Sequence, residues 1–334
     1  MDEKRQMTLD EFYKEWYSPS TTILVNTSGS TGKPKPMTVE KARMMESARM
    51  TCKFLGLTAD DSALLCMPLD YIAGKMVVVR TIVSGMRLVA TPPTSHPMKD
   101  IDDIPTFAAM VPMQVYSSLS VAEEADKLKR IKNLIIGGGP VSDSMCSILK
   151  DFPNAVWSTY GMTETLSHIA MRRISGPEAS AYYSPLSDIS LSTNEMGCLR
   201  IDAPKICLIA LQTNDVVEFD EDGHRFRVIG RIDNVINSGG VKIHIEEVEK
   251  AIQQIIDRPF AIAKKTDDVF GEIVVMVLQE PINESESIQI KRQIETTLPK
   301  YWQPKSYIII AKIPMTETGK MARKALLDIV NTSH

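Results

Sequence analysis

A chain of 334 residues with 43% hydrophobic content can bury a sizeable core and, at ~100–200 residues per domain, points to two domains. A formal net charge of -4 supplies no basic field of the kind that nucleic acid or an anionic membrane surface attracts. Five cysteines (Cys52, Cys66, Cys146, Cys198 and Cys207) are odd in number, far apart and free of any CxxC pair, so neither a disulfide framework nor a zinc site is expected.

The opening residues "MDEKRQMTLDEFYKEW" are charged and lack the apolar run of a secretory signal. No later stretch reaches the ~18 apolar residues of a spanning helix. The expectation is a cytoplasmic protein in a reducing compartment, with no membrane insertion. Thr8 followed by Glu11 forms a capping box that predicts a helix at 9–17, as if the chain started where a real element starts. "TTILV" (21–25) is a β-branched run that reads as a strand and leads into the polar stretch "NTSGSTGKPKP" (26–36). Beyond it, "TVEKARMMESARMTCKFLGL" has helical spacing and stops at Gly56, giving a strand, loop, helix context. "SALLCMPL", "MRLVA", "FAAMVP", "KNLIIGG" and "AVWSTYG" are further strands alternating with helical stretches, which predicts an α/β domain with a doubly wound sheet. The character changes near Arg231 to Asp233. A smaller α+β unit follows: helix "IEEVEKAIQQI", strands "FAIAKKT" and "EIVVMVLQE", helix "SIQIKRQIETTL", strand "SYIIIAKI" and helix "RKALLDIV". The boundary is placed so that residues 1–231 form the large domain and 232–334 the small one.

The polar stretch has chemistry of its own. Gly29 and Gly32 let the backbone approach a ligand, and consecutive amides with the hydroxyls of Thr27, Ser28, Ser30 and Thr31 can donate to phosphate oxygens. Lys33 and Lys35 add charge. A solvated Gly/Ser linker has similar composition, but it has no need of two lysines and would not usually sit between a strand and a helix. Phosphate cradling is the better reading, and the loop is not the Walker pattern, because GxxxxGK[ST] is absent.

Five segments in order give this stretch a context. "TSGSTGKPK" resembles the phosphate-binding signature of the adenylate-forming superfamily, which includes acyl-CoA synthetases, aryl-CoA ligases, luciferases and peptide-synthetase adenylation domains. "YGMTET" (160–165), "TND" (213–215), "GRIDNVINSGGVKIHIEEVE" (230–249) and "PMTETGKMARKAL" (314–326) resemble four more of its signatures. The resemblance implies a large N-terminal domain truncated at its N-terminus, a small mobile C-terminal domain, and ATP, Mg²⁺ and CoA as partners. It implies that Tyr160 and Gly161 lie by the adenine, Thr163 meets the phosphates, Glu164 holds the metal, and Asp215 bonds the ribose hydroxyls. By the same resemblance Arg231 contacts ribose and phosphate, Asp233 is the hinge, Gly239 and Gly240 let pantetheine pass, and Lys320 bridges the substrate carboxylate and the α-phosphate. The run Gly137, Gly138, Gly139 with Pro140 corresponds to the wall between adenine and acyl group.

The residue types suit the reaction. A carboxylate must attack a phosphate of like charge, so cations have to bridge the two. The mixed anhydride would hydrolyse in water, so the second step needs a protected site. "MPLDYIAGKMVVVRTIVSGMRLV" (67–89), "VPMQVYSSL" (111–119) and "IKNLIIGGGPVSDSM" (131–145) resemble the o-succinylbenzoate:CoA ligases of menaquinone biosynthesis. Such a substrate carries a second carboxylate, for which Arg80, set among "MVVV" and "TIV", is the leading candidate and Lys75 the second. Tyr71 stands where relatives often carry a histidine. "TND" replaces the commoner Thr-Gly-Asp, which keeps the Asp and stiffens its turn.

The superfamily has a long portion ahead of the phosphate loop, and this chain has 26 residues there. A second subunit, as in a homodimer, is one way to complete the pocket. Alternatives stay open: another aryl or acyl acid:CoA ligase, a stand-alone adenylation enzyme feeding a carrier protein, or a non-catalytic adenylate-binding homologue. His168, His224 and His244 lack metal spacing and read as core or surface, the methionines read as packing, and Trp16, Trp157 and Trp302 give no stacking stripe for nucleic acid.

Overall fold

The computed structural model describes residues 6–26, 36–316 and 321–333. The first helix, α1 (Leu9–Trp16), carries the expected capping box between Thr8 and Glu11. It buries Phe12 and Trp16, whose rings stack at 5.8 Å, and each such side chain contributes ~1.5–3 kcal/mol by leaving water. The last carbonyls of α1 find a partner in buried Lys41, whose Nζ donates to Glu15 O at 2.9 Å and Ser18 O at 3.3 Å.

Strand β1 (Thr22–Asn26) pairs antiparallel with β2 (Pro36–Glu40). Here the expected strand, loop, helix order is corrected: residues 36–40 form a second strand before α2 (Lys41–Leu55) begins. Asn26 and Pro36 are cross-strand partners, so the two ends of the stretch expected to cradle phosphate lie side by side.

The large sheet is built from β3 (Ser62–Leu65), α3 (Ile72–Ser84), β4 (Arg87–Ala90), β5 (Phe107–Met110), α4 (Pro112–Leu119), α5 (Ala122–Arg130), β6 (Asn133–Ile136), α6 (Asp143–Lys150) and β7 (Ala155–Gly161). Strands run parallel in the order β4-β3-β5-β6-β7, extended antiparallel by β8 (His168–Arg173) and β9 (Ser184–Pro185). Every residue of β3, β5 and β6 is buried, as a sheet covered on both faces requires. The alternation is visible in the two cores: Ala63, Leu65, Phe107, Ala109 and Ile135 pack on one face, and Leu64, Ala108, Met110, Leu134 and Ile136 on the other. This is the doubly wound arrangement read from the sequence.

A separate antiparallel sheet that the sequence reading did not identify follows: β10 (Ser190–Thr193), β11 (Cys198–Asp202), β12 (Leu211–Phe219) and β13 (Phe226–Arg231). Its β12 and β13 set Asp215 opposite Arg231.

After a single 3₁₀ turn at Ile232–Asn234, the remaining strands among the described residues join one sheet. It contains β14 (Val235–Ser238), β15 (Val241–His244), β16 (Phe260–Asp267), β17 (Gly271–Gln279) and β18 (Ser306–Ile310). Helices α7 (Ile245–Gln253) and α8 (Glu284–Thr297) pack on one face through Val248, Ile252, Ile290 and Ile294, against Val274, Met276 and Leu278. Helix α9 (Arg323–Thr332) covers the opposite face, where Leu326 and Val330 meet Ala261, Val275 and Val277. Among the described residues no sheet mixes strands from the two sides of residue 232.

Candidate active site

The parallel strands deliver their C-terminal ends to one edge, and the strand order reverses between β3 and β5, where such sheets form their ligand crevice. At this edge lie Asp70 and Tyr71 after β3, Gly137–Pro140 after β6, and Tyr160–Glu164 at the end of β7. Asn26 reaches the same region, donating from Nδ2 to Asp70 O at 3.2 Å and bridging to Tyr71. The expected phosphate-loop residues Thr27, Ser28, Gly29, Ser30, Thr31, Gly32, Lys33 and Lys35, and the expected bridging lysine Lys320, lie outside the described residues.

The segment after β7 is tightly specified. Gly161 has no room for a side chain: a Cβ there would collide with Ser167 O and His168 Cα, both backbone atoms. Gly161→Ala is therefore expected to lower stability by ~1–3 kcal/mol through overpacking, read as a lower urea midpoint. Thr163 is buried and Glu164 exposed in a 3₁₀ turn, and buried Thr165 anchors it: its Oγ1 accepts from Met162 N (3.0 Å) and donates its one proton to Ser167 O (2.7 Å) or Met162 O (2.9 Å). Leu166 then adopts a left-handed φ of 64°, a strained value for a leucine of the sort found at functional sites.

Tyr160 reaches sideways to the antiparallel sheet, where its hydroxyl donates to Asp215 Oδ2 at 2.6 Å. Its ring packs edge-on against Phe226 at 5.1 Å, with Tyr183 beyond. Burial, and after it the Asp215 carboxylate, raises the Tyr160 pKa, so the hydroxyl keeps its proton. Arg231 Nη1 sits 3.7 Å from Asp215 and its Nη2 2.9 Å from Asp233, so the expected ribose carboxylate, the arginine and the hinge aspartate are contiguous. Asn214 Nδ2 donates to both oxygens of Asp233, at 3.3 and 3.1 Å. The expectation of a stiff turn at Thr213–Asp215 is corrected, since these residues lie within β12, and sequence reasoning missed what Asn214 touches.

Arg80 and Lys75 part company. Lys75 is buried against α1, with Nζ 3.7 Å from Glu15 Oε2, 3.4 Å from Met7 Sδ and 5.6 Å from the centre of the Phe12 ring. Arg80, only 2% exposed, donates from Nη2 to Ser167 Oγ at 2.5 Å, just past the Thr163–Thr165 turn. Its Nε has no hydrogen-bond partner, and among the described residues no carboxylate pairs with it. Desolvation pulls its pKa down to about 10, which still leaves it charged at neutral pH. His168 completes the cluster, with Nε2 2.9 Å from Thr51 Oγ1, and burial, then the Arg80 charge, keep the imidazole neutral. The sequence reading had this histidine as core or surface. It is core, beside Arg80.

Gly239 and Gly240, with φ of 57° and 84°, form the two-residue turn joining β14 to β15. Beyond Lys320, Arg323 binds Glu249 through both carboxylate oxygens and ties the start of α9 to α7. For Mg²⁺, the exposed Glu164 carboxylate fits an ion that typically takes one or two protein carboxylates and completes its shell with substrate phosphates and water.

The AMP-binding enzyme family model matches residues 4–190, more than half of the chain. The chain belongs to the AMP-binding enzyme family. A 2-succinylbenzoate–CoA ligase from Enterococcus faecalis is 26% identical, covering 96% of this chain and 72% of its own length. Among solved structures of this AMP-binding enzyme fold, an acyl-CoA synthetase (AMP-forming)/AMP-acid ligase II-like protein from Dyadobacter fermentans is 35% identical with a TM-score of 0.65. The match covers 94% of this chain and 91% of that one. The o-succinylbenzoate CoA synthetase of Bacillus subtilis, solved with its acyl-adenylate intermediate, shares the fold at 22% identity and a TM-score of 0.73, covering 91% of this chain and 68% of that one. Among the described residues no helix is long and apolar enough to cross a membrane.

Proposed function

We propose that this AMP-binding enzyme is an ATP-dependent, AMP-forming acid:CoA ligase acting on 2-succinylbenzoate in menaquinone biosynthesis. The observation that supports the choice of acid is Arg80, a buried guanidinium that no carboxylate among the described residues pairs with, hydrogen-bonded to the segment that follows the Tyr160–Glu164 motif. A lone buried cation is costly, and a substrate carboxylate would satisfy it. Lys75, already committed to Glu15, is the weaker candidate, and Tyr71 would line the entrance beside Asn26.

In the first step a carboxylate oxygen of the acid attacks the α-phosphorus of ATP, the bond to the β-bridging oxygen breaks, and pyrophosphate leaves. Lys320 would bridge the two anions. The loop residues Thr27 to Gly32 with Lys35 would hold the departing phosphates, helped by Thr163, and Glu164 would position Mg²⁺, which neutralises phosphate charge. Tyr160, Gly161 and Gly138–Pro140 would frame the adenine, while Asp215 and Arg231 would hold the ribose once Tyr160 and Arg231 yield the carboxylate they now occupy. In the second step the CoA sulfur attacks the acyl carbon, the bond to the AMP oxygen breaks, and the thiol proton passes to solvent. We assign residues 1–231 to the nucleotide and acyl sites and 232–334 to a domain that rotates about Asp233, bringing Gly239 and Gly240 to the pantetheine. A cytoplasmic enzyme, with homodimer formation as the means of completing the pocket, accords with this reading.

Mass spectrometry of a reaction with ATP, Mg²⁺, CoA and 2-succinylbenzoate is expected to find the CoA thioester, AMP and pyrophosphate in equal amounts. ADP and orthophosphate as the nucleotide products would overturn the mechanism.

A further inference from the structure

The carboxylate of Asp233 is held from two sides. Arg231 Nη2 donates to Oδ2 at 2.9 Å, and Asn214, on the neighbouring strand β12, donates to both oxygens. These contacts, led by Arg231, keep the Asp233 carboxyl below the ordinary carboxylate range despite partial desolvation. The backbone around Asp233 is one 3₁₀ turn, which offers no regular ladder to fix its orientation. The side-chain contacts supply the restraint that the backbone lacks. A glycine at position 214 could supply neither hydrogen bond.

We infer that Asn214 is a positioning residue that clamps the hinge aspartate and so sets the balance between the two domain orientations of the ligase. The inference rests on the two-step reading above and on Asp233 being the pivot. Rotation through Asp233 changes its dihedrals and carries its carboxylate away from a strand that belongs to the large domain. The clamp therefore stabilises one orientation and is broken in the other, without touching substrate in either. Asn214 is next to the ribose-binding Asp215, and Arg231 contacts both Asp215 and Asp233. Nucleotide arriving at Asp215 draws on the same arginine that helps hold the hinge.

The test measures the two half-reactions separately: adenylation with ATP, Mg²⁺ and acid, and thioester formation from supplied acyl-adenylate and CoA. Asn214→Ala is expected to speed one and slow the other, changing their ratio ~5-fold or more, as loss of hydrogen bonds to a charged group implies. Asn214→Asp, which puts like charges together, moves the ratio further in the same direction. In an Asp233→Ala background the Asn214→Ala effect disappears. Parallel loss of both half-reactions in the folded variant, or no change in the ratio, overturns the clamp. Hydrogen exchange over residues 231–234 provides a readout without turnover and is expected to quicken in Asn214→Ala. Quickened exchange in a protein that activates no acid keeps the clamp and rejects the ligase reading, whereas unchanged exchange rejects the clamp.

Discussion

Lys320→Ala is expected to abolish acyl-adenylate formation while leaving thioester formation from supplied acyl-adenylate close to the unsubstituted rate. The lysine stands in "PMTETGKMARKAL" and acts, on the proposed mechanism, only where two anions must meet. Charge develops on the phosphate as the carboxylate approaches, and one preorganised donor at such a position is worth ~10²–10³ in rate. The second half-reaction starts from an adenylate whose phosphate carries less charge and needs no bridging cation. Separate assays of pyrophosphate release and of CoA consumption read the two rates. Equal loss in both, with the variant folded, would remove Lys320 from the bridging role.

Arg80→Met is expected to separate stability from specificity. The guanidinium is buried with no carboxylate partner among the described residues, so replacing it by an apolar side chain of similar length removes a desolvated charge, and the melting temperature is expected to hold or rise. Catalytic efficiency with 2-succinylbenzoate is expected to fall ~10²–10³-fold, because the second carboxylate would be buried unpaired at ~3–5 kcal/mol. The effect should fall on the KM for the acid while the KM for ATP stays put. Lys75→Met serves as the comparison. Its ammonium faces Glu15 on α1, so acid selectivity should not change. A large drop in stability for Arg80→Met with unaltered acid selectivity would make Arg80 a structural residue.

The contrast between these two cations shows where sequence reading stops. Both sit in one apolar helix, α3, and both looked able to serve the pocket. At about 100° per residue, positions five apart differ by about 140° around a helix, so they cannot share a face. Which face meets α1 and which meets Ser167 depends on contacts far along the chain. The motif residues were legible because their chemistry is contiguous: Tyr160 to Glu164 follow one strand end, and β3, β5 and β6 are short apolar runs between polar turns. The sheet from β10 to β13 was not: "SLST" faces solvent along most of its length, and "CLRID" buries Cys198, Leu199 and Ile201 but alternates over only four residues, too short a run to stand out. Strand β2 was hidden because it runs straight into α2, whose N-cap, Glu40, is the strand's own last residue and makes no side-chain cap hydrogen bond. Asn214 read as a local stiffening, yet its partner is Asp233, on the neighbouring segment just beyond the Asp215–Arg231 pair that ends the β12–β13 ladder.

The most direct measurement is pyrophosphate release with ATP and Mg²⁺ across a panel of acids containing 2-succinylbenzoate, simple benzoates and fatty acids, with and without CoA. Release is expected to be selective for 2-succinylbenzoate and stimulated by CoA. Equal or greater release with a monocarboxylic acid, or none across the panel, would contradict the proposed function.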